Sequence, residues 1–524
     1  MTGLRKREPL LAAMVLAAAA LPILLVAHPP VMDVPNHLAR IRLLAGGLAD
    51  PVLGSMYRAD WAQASTNVAV DAVAVGLARL LPFGLVSALL MLAMVLGPAL
   101  AGAALHRKLV GRASGWVAIF AITAFSTTAV AGFLSFQVSL AAGLLAAALL
   151  HRRLTRAFDW RTIALHVAVC ALLLLIHPFG LLLYAATAAG IVVGPERLWP
   201  IERARVVGAG QRIALLGVGA AVPVALLFLL APHPPGGSTG TLWPALGYML
   251  HPARIAHTMA SPFVTYSYPI DGLFAAVTAV AVLAAMLIKG ARLHWGVILA
   301  AAAIGSGGIW APLAIGDASW LQQRFAIMAA LMLFAAIEPS DARPRWRRAI
   351  VVLVVVTALA RVLWIGSVWR DRGQDAADVL AVGRALPAGA ALIVVQQDTP
   401  EAQQRITGRY LQGGVFDPEL AGRHLPALLV PERRVFLPTL FTISGQHPLS
   451  VAPVWKPRSV TSSPVPRPAA LATVTEYDPY AVRWRHDFDY LLLIAADQPA
   501  ATPLPAGLIP VARQGYAALY RIPR

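Results

Sequence analysis

RKREPLLAAMVLAAAALPILLVAHPPVMDVPNH, residues 5–37, decides the fold. Three basic residues, Arg5, Lys6 and Arg7, precede the apolar run Leu10–Ala27, and a polar loop follows at once. A bilayer core about 30 Å thick needs roughly 20 mainly apolar residues per helical span. The run meets that requirement once flanking residues are borrowed. Basic residues before an apolar run also suit a signal peptide, but no small-residue cleavage site follows and Pro29-Pro30 would obstruct one. The stretch therefore reads as an uncleaved first span.

The same pattern repeats down the chain. Apolar runs fall at Leu85–Leu105, Gly115–Val130, Phe133–Leu150, Ile163–Ile176, Phe179–Val193 and Ile213–Leu230, then at Leu273–Ile288, Trp295–Trp310, Phe325–Ile337 and Ile350–Ile365. Hydrophobic residues make up 58% of the chain and charged residues only 13%. Mean hydropathy is +0.68, well outside the range of soluble domains. The predicted class is mainly α, a polytopic helical membrane bundle of about eleven to thirteen spans.

The formal charge of +18 invites a nucleic-acid reading, which the distribution of that charge opposes. Arg and Lys cluster in alternate short loops: Arg5-Lys6-Arg7, Arg107-Lys108 with Arg112, Arg152-Arg153 with Arg156, Arg197 with Arg203 and Arg205, Lys289 with Arg292, and Arg343 to Arg348. The positive-inside bias accounts for them without a polyanion, and no basic groove interleaved with aromatics is visible. One assignment puts all these loops in the cytoplasm, leaving the C-terminal part outside. Asn67–Pro82 resists, because counting it as a span inverts every later loop. It reads as a re-entrant or interfacial helix. Cys170, the only cysteine, lies in an apolar run and reads as a small buried hydrophobe.

Two domains follow. Residues 1–370 form the membrane part, with external segments at 28–67, 231–271 and 312–323. Within the first, Asn36–Gly46 has Leu38, Ile41, Leu44 and Ala45 at helical spacing opposite Arg40 and Arg42, an amphipathic helix suited to the membrane surface. Residues 371–524 read as a small C-terminal α/β extracytoplasmic domain: a helix at Asp375–Leu386, strands at Ala391–Val395 and Tyr490–Ile494, and irregular structure from Pro453 to Pro468.

A first span, then Met32-Asp33-Val34-Pro35-Asn36-His37, an amphipathic helix, many spans and an outer domain together resemble the GT-C class of membrane glycosyltransferases. Gly132-Phe133-Leu134-Ser135-Phe136-Gln137, His177-Pro178 before Phe179-Gly180, and Gln323-Arg324-Phe325 are similar to uncharacterised bacterial members. The resemblance implies transfer of a sugar, hexosyl or pentosyl, from a polyprenyl-phosphate donor to an unidentified acceptor at the outer face of the bacterial cytoplasmic membrane. In that class the first-loop carboxylate, here Asp33, is the general base. Partial burial near the membrane boundary suits that task. The alternative is that Asp33 merely caps the helix starting near Pro35.

Arg324, a cation at an outer span end where the positive-inside bias does not explain it, is the expected ligand of the donor phosphate. Arg40 and Arg254 are expected to assist. His37, one turn before Arg40, and His257 are candidates to orient the base or bind the acceptor, with His251 as a further contact. Trp243, Tyr248, Tyr266 and Tyr268 could stack on sugar rings, though interfacial aromatic belts have the same look. Some members of the class use a divalent metal and others none. Asp60, Asp71 and Asp271 are the nearest second ligands to Asp33, but no spacing is diagnostic, so no metal residues are assigned. No phosphate-binding glycine loop follows a strand, which argues against a soluble nucleotide sugar. The competing readings are a lipid or polysaccharide transporter and a non-catalytic assembly protein. Transport would favour ionisable residues within spans, which look almost uncharged.

Overall fold

A computed structural model describes residues 2–156, 158–196, 202–230, 241–243, 245–315, 318–397, 418–460, 465–472 and 479–524. Arg197, most of the 231–244 part of the second external segment, and residues 316–317 and 461–464 of the expected irregular regions lie outside the described residues.

The first apolar run is two helices, α1 (Thr2–Ala18) and α2 (Leu21–Leu25). Pro22 opens α2, and a proline tolerated in a first turn cannot continue the preceding helix. Next comes α3 (Val34–Leu44), with Pro35 in its first turn. The expectation that this helix lies on a membrane surface is wrong. Nine of its residues are buried, and Arg40 is 1% exposed. Its charge is buried because Asp71 on α5 (Val68–Leu80) takes two hydrogen bonds from it, Nε to Oδ2 at 3.0 Å and Nη2 to Oδ1 at 2.8 Å. Arg42, by contrast, is exposed and pairs with Glu432. Between α3 and α5, Asp50 caps α4 (Pro51–Met56), accepting from Val52 N at 2.9 Å.

Helix α5 has only 13 residues, about 20 Å at 1.5 Å per residue. Asn67, at its start, lines the same cavity as Asp33. Phe83, which begins α6 (Phe83–Val110) after Pro82, lies under the Arg42 guanidinium. Both ends of α5 therefore lie near α3.

The run Gly115–Val130 is broken. A 3₁₀ turn leads into α7 (Ile119–Ala124), the chain kinks at Phe125-Ser126, and α8 (Thr127–Val130) follows. A break of this kind inside an apolar bundle survives only where side chains satisfy the freed backbone groups. Here Ser126 Oγ caps α8 through Ala129 N, and Gln137 donates to Ser126 Oγ and to Thr128 Oγ1. Arg361 Nη2 donates to the Phe125 carbonyl at 3.0 Å and also to that of Phe263.

The remaining helices are α9 (Leu134–Leu154), α10 (Trp160–Ile176), α11 (Pro178–Val193), α12 (Arg203–Leu230), the short α13 (Leu246–Met249) and α14 (Pro252–Ala260), α15 (Tyr268–Leu287), α16 (Trp295–Trp310), α17 (Leu321–Ala335) and α18 (Pro344–Gly383). Among the described residues, six helical stretches are long and apolar enough to cross a bilayer, and five shorter apolar helices of 10–17 residues accompany them. One end of the bundle gathers Glu8, His106, Arg112 and Arg347 around Glu338, which is fully buried and accepts from both arginines. Arg112 and Arg347 are thus structural ion-pair partners as well as loop charge. The spans are also less free of charge than the sequence suggests. Arg361 of α18 and Asp271 of α15, both 0% exposed, pair at 3.0 Å, and Asp271 accepts further from Thr265 N and Ser267 N.

Helix α18 runs unbroken for 40 residues across the 370/371 position. Beyond it lies a four-stranded sheet in the order Ile509–Gln514, Ala517–Arg521, Tyr490–Ile494, Leu392–Gln396. Its last two strands pair in parallel and the others antiparallel. Asp378 of α18 accepts from Tyr516 N at 2.9 Å and ties helix to sheet. A second link is a two-stranded ribbon, Tyr57–Ala59 against Leu449–Val451, joining the first loop to the C-terminal part.

Candidate active site

Backbone contacts place Asp33 before its side chain does. Met32 N and Asp33 N donate to the Val130 and Ala131 carbonyls, each at 3.1 Å, so the chain after α2 is pinned to the end of the broken helix. Gly132 sits against this junction with φ +80°, and a Cβ there would lie 2.8 Å from Asp33 N and 3.0 Å from Val34 N. Only glycine fits both the left-handed backbone and the close approach. Gly132→Ala is expected to lose about 1–2 kcal/mol of stability from the left-handed conformation alone. The collision with Asp33 adds to that, so the variant should show both a lower unfolding midpoint and a displaced Asp33. An unchanged midpoint in detergent would contradict the close packing described.

Asp33 precedes α3 but does not cap it, since no helix N–H reaches its side chain. Its Oδ1 stands 3.0 Å from His424 Nδ1. The alignment is not that of a hydrogen bond, and Oδ1 accepts none. The carboxylate is thus buried, 8% exposed, with a lone pair free. The capping reading fails.

Arg324 enters from the first turn of α17. It is 9% exposed, its Nε donates to Ser319 O at 3.1 Å, and its guanidinium lies 4.3, 4.9 and 5.6 Å from the ring centres of Phe133, Phe136 and Phe179. Among the described residues no carboxylate lies within ion-pair distance of it. Three aromatic faces hold the cation without neutralising it. His177 is the N-cap of α11, its Nδ1 3.2 Å from Phe179 N. Nε2 is 3.4 Å from Arg324 Nη1. A neutral imidazole has one ring-nitrogen lone pair, so the ring accepts from either Phe179 N or Arg324 Nη1, according to its tautomer. A buried guanidinium held by aromatic faces suits an anionic oxygen.

Asp33, His37, Arg40, Asn67, Phe133, Ser135, Phe136, His177, Ser319 and Arg324 line one cavity of about 310 Å³. Its remaining wall comes from the C-terminal part: Arg423, His424, Thr439, Phe441, Ile443, Gln446 and His447. The His424 ring meets the edge of Phe441 at 5.3 Å, His37 meets it at 5.6 Å, and His447 stacks on it at 5.5 Å. Burial, reinforced by the Arg40 charge, holds both His37 and His447 well below the ordinary imidazole range, so both are neutral at pH 7.

The structure thus brings Asp33, His37, Arg40 and Arg324 together and separates Arg254 and His257. Those two line another cavity with Tyr248, His251, Trp320 and Gln322. Ser319 faces the first cavity and Trp320 the second. Arg40 reaches the Asp33 cavity, but its charge is spent on Asp71, and His37 Nδ1 accepts from its Nη2 at 3.0 Å. The Nη1 of Arg40 has no hydrogen-bond partner. Tyr266 is a core residue, 0% exposed, donating to Pro30 O and accepting from Trp369 Nε1. Trp243, Tyr248 and Tyr268 are exposed and lie outside the Asp33 cavity. Of the carboxylates considered beside Asp33, Asp60 is exposed, Asp71 holds Arg40 and Asp271 holds Arg361. Among the described residues no group of three or more His, Cys, Asp or Glu side chains is placed to hold a metal.

Sequence reasoning missed His424, Phe441 and His447. They lie in a Pro- and Gly-punctuated segment without periodicity, and nothing local links them to Asp33. No protein-family model and no curated protein matches this chain.

Proposed function

We propose that the chain is an integral membrane glycosyltransferase whose Asp33 end faces outward and whose donor is a polyprenyl-phosphate sugar. One observation supports the reading: the buried Asp33 carboxylate, whose Oδ1 accepts no hydrogen bond, and the buried Arg324 guanidinium, whose charge it favours across the space, line the same small cavity at one end of an apolar bundle. Asp33 takes the proton from the acceptor hydroxyl as the acceptor oxygen bonds to the anomeric carbon. The bond from that carbon to the phosphate oxygen breaks, and its electron pair leaves with the phosphate. The Arg324 guanidinium receives the charge that develops there, stabilisation that counts most in a water-poor site. The products are the glycoside and the polyprenyl phosphate, and Asp33 returns its proton to solvent. His37, fixed between Arg40 and the Gly132 backbone, positions the loop that carries the base.

The binding half is testable without knowing the acceptor. Farnesyl phosphate, a short isoprenoid phosphate, is expected to bind the detergent-solubilised protein. Arg324→Gln should weaken that binding at least about tenfold, the scale of one charge-assisted hydrogen bond, and Arg254→Gln should not. Equal binding by wild type and Arg324→Gln would remove the phosphate from this site.

A further inference from the structure

The Arg254 cavity is left without a task by the transferase reading. Arg254 is 7% exposed. Its Nη1 donates to the Met249 and Ile309 carbonyls at 3.0 and 2.9 Å, and Tyr248 lies 5.4 Å from the guanidinium carbon. Nε and Nη2 are buried without a partner. The Nε2 of Gln322, on the same cavity of about 480 Å³, is also buried and unpartnered. Orphaned buried donors are costly, and three of them on two residues that line one cavity, with no carboxylate among the lining residues, call for an anionic acceptor.

Directly beneath lies an apolar groove of about 740 Å³ between α14, α15, α16 and α17. Helix α14 joins the two spaces, with Arg254 and His257 on the cavity and Met259 and Ala260 on the groove. Ile309, whose carbonyl holds Arg254, also lines the groove. The groove follows α16 from Ile298 to Ile309, about 16 Å by helical rise, close to the hydrocarbon depth of one leaflet at about 15 Å. Ala302 and Ser306 leave it open to the side.

We infer that cavity and groove form one site for an anionic glycerophospholipid, its phosphodiester on Arg254 and Gln322 and an acyl chain along α16. A single cation matches a singly charged phosphodiester. With no acid or base beside it to act on a sugar bond, the site recognises and does not react. A phospholipid of the surrounding leaflet fits this better than the carrier lipid. The inference rests on the membrane placement proposed above and not on the transferase reading.

Native mass spectrometry of the full-length protein, titrated with dioleoyl phosphatidylglycerol, dioleoyl phosphatidylcholine or farnesyl phosphate, tests it. Wild type is expected to retain one phosphatidylglycerol in preference to phosphatidylcholine. Arg254→Gln should lower that retention at least about tenfold. Ser306→Phe, at an exposed groove position that should not disturb folding, should lower it too, and Arg324→Gln should leave it intact. Phosphatidylglycerol retained equally by Arg254→Gln and Ser306→Phe would overturn the site. Displacement by equimolar farnesyl phosphate would overturn the choice of ligand, and loss in Arg324→Gln would assign the lipid to the Asp33 cavity. A failed transferase assay would leave these outcomes untouched.

Discussion

Asp33→Asn is expected to reduce sugar transfer by about 10²–10⁴-fold, the usual contribution of a positioned general base, while the protein remains folded. Asparagine keeps the volume and removes the lone pair that takes the proton. No helix cap is lost, because Asp33 makes none. Arg324→Gln should cost about 10²–10³-fold by removing charge from the leaving phosphate. Release of polyprenyl phosphate from a synthetic donor in liposomes reads both variants, with elution profile and unfolding temperature as controls for the fold. Asp33→Asn transferring sugar at half the wild-type rate or better would end the proposed mechanism, and a non-catalytic assembly role would then fit. His424→Asn separates two roles within the site. If His424 steers Asp33 through their 3.0 Å contact, the variant shifts the pH profile of transfer. A purely packing role would lower stability alone.

The largest effect on stability is expected from Arg361→Met. Arg361 neutralises Asp271 and at the same time donates to the Phe125 carbonyl at the break between α7 and α8 and to the Phe263 carbonyl beyond α14. Removing one member of a buried pair costs about 3–5 kcal/mol, and here two backbone acceptors are orphaned as well. Little monodisperse protein should survive extraction. Adding Asp271→Asn should restore part of the loss, because the remaining charge goes while the carbonyls stay unsatisfied. A single variant as heat-stable as wild type would mean that the kink is held by something other than this clip.

The apolar architecture was legible because a span must be apolar along its length whatever it packs against. All eleven runs are helical, two of them broken and the last extended to Gly383, and Tyr490–Ile494 is a strand as expected. Kinks were not legible. Nothing in the composition of Gly115–Val130 distinguishes an unbroken helix from one interrupted at Phe125, because the residue that compensates the break lies 236 positions away. Arg40 failed for the same reason: its periodicity suits a wet face, and only Asp71, 31 residues on, allows its burial. Within the site, Asp33, Phe133, Phe136, His177 and Arg324 stood out because each borders an apolar run, where polar or aromatic residues are conspicuous. Arg254 borders such a region too but faces another cavity, a matter of helix rotation that spacing alone leaves open. His424 and His447 lie where no pattern sets an expectation.

The wall that the C-terminal part contributes has a consequence in time. Phe441 N donates to Asn36 Oδ1 across 405 residues of chain. At the usual synthesis rate of 5–20 residues per second, roughly twenty to eighty seconds separate the emergence of these two partners from the ribosome. During that interval the nascent protein carries its carboxylate in a chamber with one side missing. A chain released early, even with every apolar helix in place, would lack this wall, and the cavity would be completed only in the last quarter of translation.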